Sequence, residues 1–75
     1  MPYLIDRHGN EKQADSTRIY IRDPVDGGRV LRNSTRDDLF SWCGENCMGF
    51  YWVGMGFAEF EDDRDAVLFK LAWWR

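Results

Sequence analysis

Histidine, cysteine and proline are scarce in this chain of 75 residues: one, two and two. Two cysteines are too few for the disulfide frameworks that hold many small secreted domains. His8, Cys43 and Cys47 supply three candidate zinc ligands where roughly four are needed, and His8 stands in a His-Gly-Asn turn remote from the cysteines. No apolar run approaches the ~18 residues of a membrane span, and no basic-then-apolar leader opens the chain. The expectation is a cytoplasmic protein with no membrane association. Paired carboxylates, a nucleophile beside a base and a phosphate-binding glycine loop are all missing. A non-enzymatic protein without cofactor or metal is therefore expected.

Aromatic residues are abundant: 16% of the chain, with four tryptophans. Most lie between Phe40 and Trp74. A chain this short buries only a little over ~60% of its unfolded surface, and large rings, each burying ~150–250 Å², compensate for the small core. Disorder is excluded on the same ground, and residues 1–75 form one domain. The net charge of −3 is unevenly spread. Residues 1–36 carry seven basic against five acidic side chains, and residues 37–75 three against eight. A general nucleic-acid binder is more often net basic, so the acidic half suits a basic protein partner better.

Periodicity divides the chain. Tyr3 to Asp6 is a short apolar stretch suited to an edge strand, His8-Gly9-Asn10 a turn, and polar Glu11 to Ser16 a loop. Arg18-Ile-Tyr-Ile-Arg22 alternates, with Ile19 and Ile21 on one face and Arg18, Tyr20 and Arg22 on the other, as in a strand. Asp23-Pro-Val-Asp-Gly-Gly28 is a strong turn signal, and Arg29 to Arg32 is expected to return as a strand paired with residues 18–22. Asn33, Ser34 or Thr35 is expected to cap a helix with Asp37 and Asp38 in its first turn. Leu39 and Cys43 share its buried face, and it ends near Cys47. Two aromatic strands, 50–53 and 57–60, flank a Gly54-Met55-Gly56 hairpin loop. Asp62 or Asp63 caps a second helix with two apolar stripes, Ala66/Phe69/Trp73 and Val67/Leu71/Trp74. One sheet face cannot cover both, so contact surface is left over. The reading is an α+β domain: a small antiparallel sheet of four to five strands with two helices packed on one face. Its core should hold Ile19, Ile21, Leu39, Phe60, Ala66 and Phe69.

Trp42-Cys-Gly-Glu-Asn-Cys47 resembles the Trp-Cys-Gly-x-Cys redox site of thioredoxins, with a longer spacing. A reactive thiolate wants a helix N-terminus, whereas these cysteines fall at a helix C-terminus. A structural role follows, one thiol buried and the other nearer the surface. The acids Glu59, Glu61, Asp62, Asp63 and Asp65 lack the spaced ligands of a calcium loop and suit a helix start.

Two further resemblances bear on function. Ile19-Tyr-Ile-Arg-Asp-Pro24 looks like the first signature strand of RNA-recognition motifs, and Gly56-Phe-Ala-Glu-Phe60 with Asp65-Ala66 like a shortened third strand and second-helix entry. This likeness implies a nucleic-acid-binding module using Arg18, Tyr20, Arg22 and Phe57, with the aromatics stacking bases. Phe60-Glu-Asp-Asp-Arg-Asp-Ala-Val-Leu-Phe-Lys-Leu-Ala-Trp73 is similar to the ends of small tailed-phage proteins, which also tend to carry a Trp-Cys pair before an aromatic strand, as Trp42-Cys43 does here. That likeness implies a phage-encoded protein in the host cytosol. It would bind and modulate a host or phage macromolecular complex, for example as an inhibitor of a host enzyme or defence system. This is the leading expectation, with Trp73, Trp74, Glu61, Asp62 and Asp63 as partner-binding residues and a protein as partner. Self-association into a homodimer stays open.

Overall fold

The computed structural model describes residues 2–23 and 27–73. The elements run β1 (Tyr3–Ile5), β2 (Glu11–Gln13), β3 (Thr17–Tyr20), α1 (Asn33–Asn46), β4 (Tyr51–Val53), β5 (Phe57–Phe60) and α2 (Asp63–Trp73). The five strands form one sheet in the order β2-β1-β4-β5-β3, all neighbours antiparallel. β3 and β4 flank β5 and so run parallel to each other, and α1 is the crossover between them. This is an α+β fold with two helices, as the hydrophobic patterning indicates.

Alternation along the strands sorts the two faces. Ile19, Tyr51, Val53, Ala58 and Phe60 point to the helices and join Leu39 and Cys43 of α1 and Ala66 and Phe69 of α2 in one buried cluster. Of the six expected core residues, five are buried, and Ile21 is half-buried against the same cluster. Phe69 lies between Phe60 and Trp42, with ring centroids 5.0 and 5.7 Å away. Gly44 places α1 against β4: a Cβ there would meet the Tyr51 hydroxyl at 3.4 Å, an ordinary contact.

Three local expectations are corrected. Glu11 to Gln13, read as loop, is the strand β2, paired with β1 through Tyr3↔Gln13, Leu4↔Lys12 and Ile5↔Glu11. Its side chains are all exposed, so no hydrophobic period marks it. The turn before it forms because the Asp6 carboxylate accepts the backbone N–H groups of His8 and Asn10, both at 2.9 Å. Arg29 to Arg32 is not a strand on residues 18–22. β3 spends its ladder on β5, and the 27–32 segment runs past the 54–56 hairpin instead, with the Leu31 N–H donating to the Met55 carbonyl. Only Leu31 of that stretch reaches the core; Val30 is exposed. Finally, α1 starts at Asn33 with extended Arg32 as its cap residue and no side-chain cap bond. Thr35 is then inside the first turn and buried, and Asp37 and Asp38 fall beyond that turn. The second helix behaves as read: the Asp62 side chain accepts the Arg64 N–H at 2.9 Å, and its carbonyl accepts those of Asp65 and Ala66.

Candidate functional site

Two surfaces remain after the core is assembled. The first is the outer face of the sheet. β3 and β5 are neighbours, and Tyr20 stands directly opposite Phe57. Their rings meet edge-on at 6.3 Å. The Arg18 guanidinium lies 4.2 Å from the Phe57 centroid and donates to the Tyr20 hydroxyl at 3.4 Å. It also donates from Nε to Glu59 Oε1 at 2.7 Å, and Glu59 is only 2% exposed. Those hydrogen bonds, to Tyr20 and to Glu59, push the Arg18 pKa further up. Phe57 covers Gly54 closely enough that a Cβ there would fall 2.4 Å from its ring. Tyr20, by contrast, is 68% exposed. The face thus presents one free ring, held by a second ring and a stacked guanidinium. Arg22, expected on the same strand, lies past the end of β3, exposed, with Nη1 3.3 Å from the Gly27 carbonyl.

The second surface is the outside of α2. Ala66 and Phe69 are buried and Trp73 is half-buried, whereas Val67, Leu68 and Leu71 are exposed, Leu71 at 76%. The leftover stripe is therefore the one sequence spacing marks, with Leu68 added; Trp74 lies outside the described residues. The acids near the helix start do not form a free negative patch. Glu61 pairs with Lys12, Asp62 pairs with Arg64 at 3.2 Å, and Asp63 accepts the Thr17 hydroxyl at 2.8 Å. The hydrogen bonds from Arg64 hold the Asp62 pKa below its usual range. Asp65 is buried and accepts the Met48 and Gly49 N–H groups at 3.0 and 2.9 Å. Sequence reasoning grouped Asp65 with the surface acids; a helix start followed by a buried alanine is a weak signal that it points inward.

Both cysteines are free and buried, so Cys47 is not the surface thiol expected. Its N–H caps α1 by donating to the Cys43 carbonyl at 2.8 Å, and this turns its side chain into the core. The hydrogen bond with Cys47, followed by burial, drives the Cys43 thiol far above its ordinary pKa. With both thiols buried and the Cys43 thiolate disfavoured, a disulfide-exchange reagent at neutral pH should label neither cysteine in the folded protein and both after denaturation; prompt labelling of Cys43 in the native state would contradict this. Among the described residues no group of three or more His, Cys, Asp or Glu is placed to hold a metal, and no helix is long and apolar enough to cross a membrane. Comparison with family models, curated proteins and solved structures finds no match.

Proposed function

We propose that this protein is a non-enzymatic binding module whose partner is another protein, met through the outer stripe of α2. The observation that carries this reading is the contiguity of Val67, Leu68 and Leu71 on one exposed helix face whose opposite side is already buried. Exposed apolar patches of this kind are where monomeric proteins meet partners. The likeness of residues 60–73 to the ends of tailed-phage proteins gives the setting: a host or phage complex whose activity is modulated by occupation. Leu71→Asp should leave the melting temperature close to wild type, since surface changes usually stay within ~0.5 kcal/mol. It should weaken partner capture from lysate by ~2 kcal/mol or more, the cost of losing a buried anchor. Undiminished capture by that variant would move the contact away from α2.

A second reading is favoured by one specific observation. Tyr20 and Phe57, on strands far apart in sequence, are cross-strand partners on the outer face beside Arg18. A platform of this make-up suits single-stranded nucleic acid, where bases stack on rings irrespective of sequence. Binding of that kind would weaken steeply with salt.

A further inference from the structure

We infer that the pocket where the outer face ends is a nucleotide site, with a phosphate held by Arg22 and Arg29 and the base laid on Tyr20. The base-stacking half of this inference rests on the reading of the outer face as a platform for nucleic acid. The pocket measures about 460 Å³ and is lined by Tyr20, Ile21, Arg22, Arg29, Gly56 and Phe57. That volume lies within the range of small-molecule sites, which combine apolar walls with a few convergent polar groups.

Arg22 and Arg29 both line this one small space, and among the described residues no carboxylate lines it. The ion pairs among the described residues are Lys12–Glu61, Arg18–Glu59, Arg32–Asp23 and Arg64–Asp62, so neither Arg22 nor Arg29 belongs to one. Arg22 gives one donor to the Gly27 carbonyl. A guanidinium has five donors in a planar fork, a geometry that matches phosphate oxygens. Two such groups on one pocket disfavour a cation and leave a neutral ligand without its best partners.

The rest of the lining supplies shape. Arg29 is carried by a segment docked on the 54–56 hairpin, through the Leu31–Met55 backbone bond and a contact so close that a Cβ on Gly56 would fall 2.4 Å from the Arg29 carbonyl oxygen. The floor is therefore backbone, and the position of Arg29 is tied to the sheet. Tyr20 and Phe57 form the aromatic side, with the Tyr20 ring as the exposed member. An anion alone would leave these rings unused, and a bare ring would leave the arginines unused. A nucleotide engages both.

The test uses calorimetry at low salt with adenosine monophosphate, adenosine and an eight-residue thymidine strand, on the wild type, Arg29→Ala and Tyr20→Ala. Melting of each variant is checked first; both side chains are exposed, so folding should survive. The monophosphate should bind at least about ten-fold tighter than the nucleoside, the lower end for charge-assisted hydrogen bonds, and Arg29→Ala should abolish that preference. Tyr20→Ala should weaken monophosphate and strand alike, by roughly five-fold or more. A monophosphate that binds while the strand does not would identify a free nucleotide as the ligand, sustaining the pocket and removing the platform reading. A strand that binds with no contribution from Arg29, together with an inert monophosphate, would overturn the pocket and leave the platform. Absence of binding by all three overturns both.

Discussion

Phe69→Ala is expected to unfold most of the protein at room temperature. Phe69 is fully buried and packs against Phe60 and Trp42. Removing a buried phenylalanine costs ~3–5 kcal/mol through lost transfer energy and the cavity left behind. The total stability of a 75-residue domain is roughly 4–11 kcal/mol at typical values per residue. The loss is therefore comparable with the whole at the lower end. Leu39→Ala, on the facing helix, should cost ~2–5 kcal/mol for the same reason. Urea titration followed by far-ultraviolet circular dichroism measures both. Midpoints near wild type in the two variants would mean that the helices do not close over the sheet through these residues.

Asp65→Ala should be the most damaging change among the acids, at about 3 kcal/mol or more. The carboxylate is buried and receives two backbone N–H groups, from Met48 and Gly49, at the junction of α1 and β4. Hydrogen bonds to a charged acceptor contribute ~1.5–3 kcal/mol each, and a buried donor left without a partner keeps its desolvation cost. Asp65→Asn should recover part of the loss, because a carboxamide oxygen accepts one of the two bonds while its nitrogen accepts none. Asp63→Ala is the matched control, since Asp63 is exposed and makes one exposed bond to Thr17. Equal destabilisation by the Asp65 and Asp63 changes would show that the first is not the tie between helix and turn.

What could be read from the sequence was what hydrophobic period encodes. Ile19 and Ile21 marked β3, Phe57 to Phe60 marked β5, and on α2 buried Ala66 and Phe69 separated from exposed Val67 and Leu71 as their spacing required. What could not be read was held by backbone bonds or by polar side chains turned inward. β2 is Glu-Lys-Gln, a strand because β1 offers it a ladder and not because of its side chains. The same limit applies to the site. The alternation of Arg18 and Tyr20 gave their face, but their pairing with Phe57 depends on β3 and β5 being neighbours, and sequence does not state strand order. Arg29 was read as part of a strand, and its approach to Gly56 follows from a docked loop that no local pattern announces. Asp65 illustrates the converse: its type suggested surface, and its two backbone partners lie in a turn 16 or 17 positions away.

The place of β3 at the edge of the sheet has a consequence for how the chain acquires its shape. β3 pairs only with β5, Thr17 opposite Phe60 and Tyr20 opposite Phe57. As synthesis proceeds, β3 emerges early and waits for α1, β4 and the hairpin before it has anything to pair with. Closing so long a loop carries an entropic cost that local contacts do not, and pairings of this kind slow folding. The α1–β4–β5–α2 portion can instead gather its own contacts first, with Phe60 and Phe69 in place. The ring of Tyr20 meets Phe57 only when β3 docks on β5, so the outer face depends on a pairing that closes a long loop.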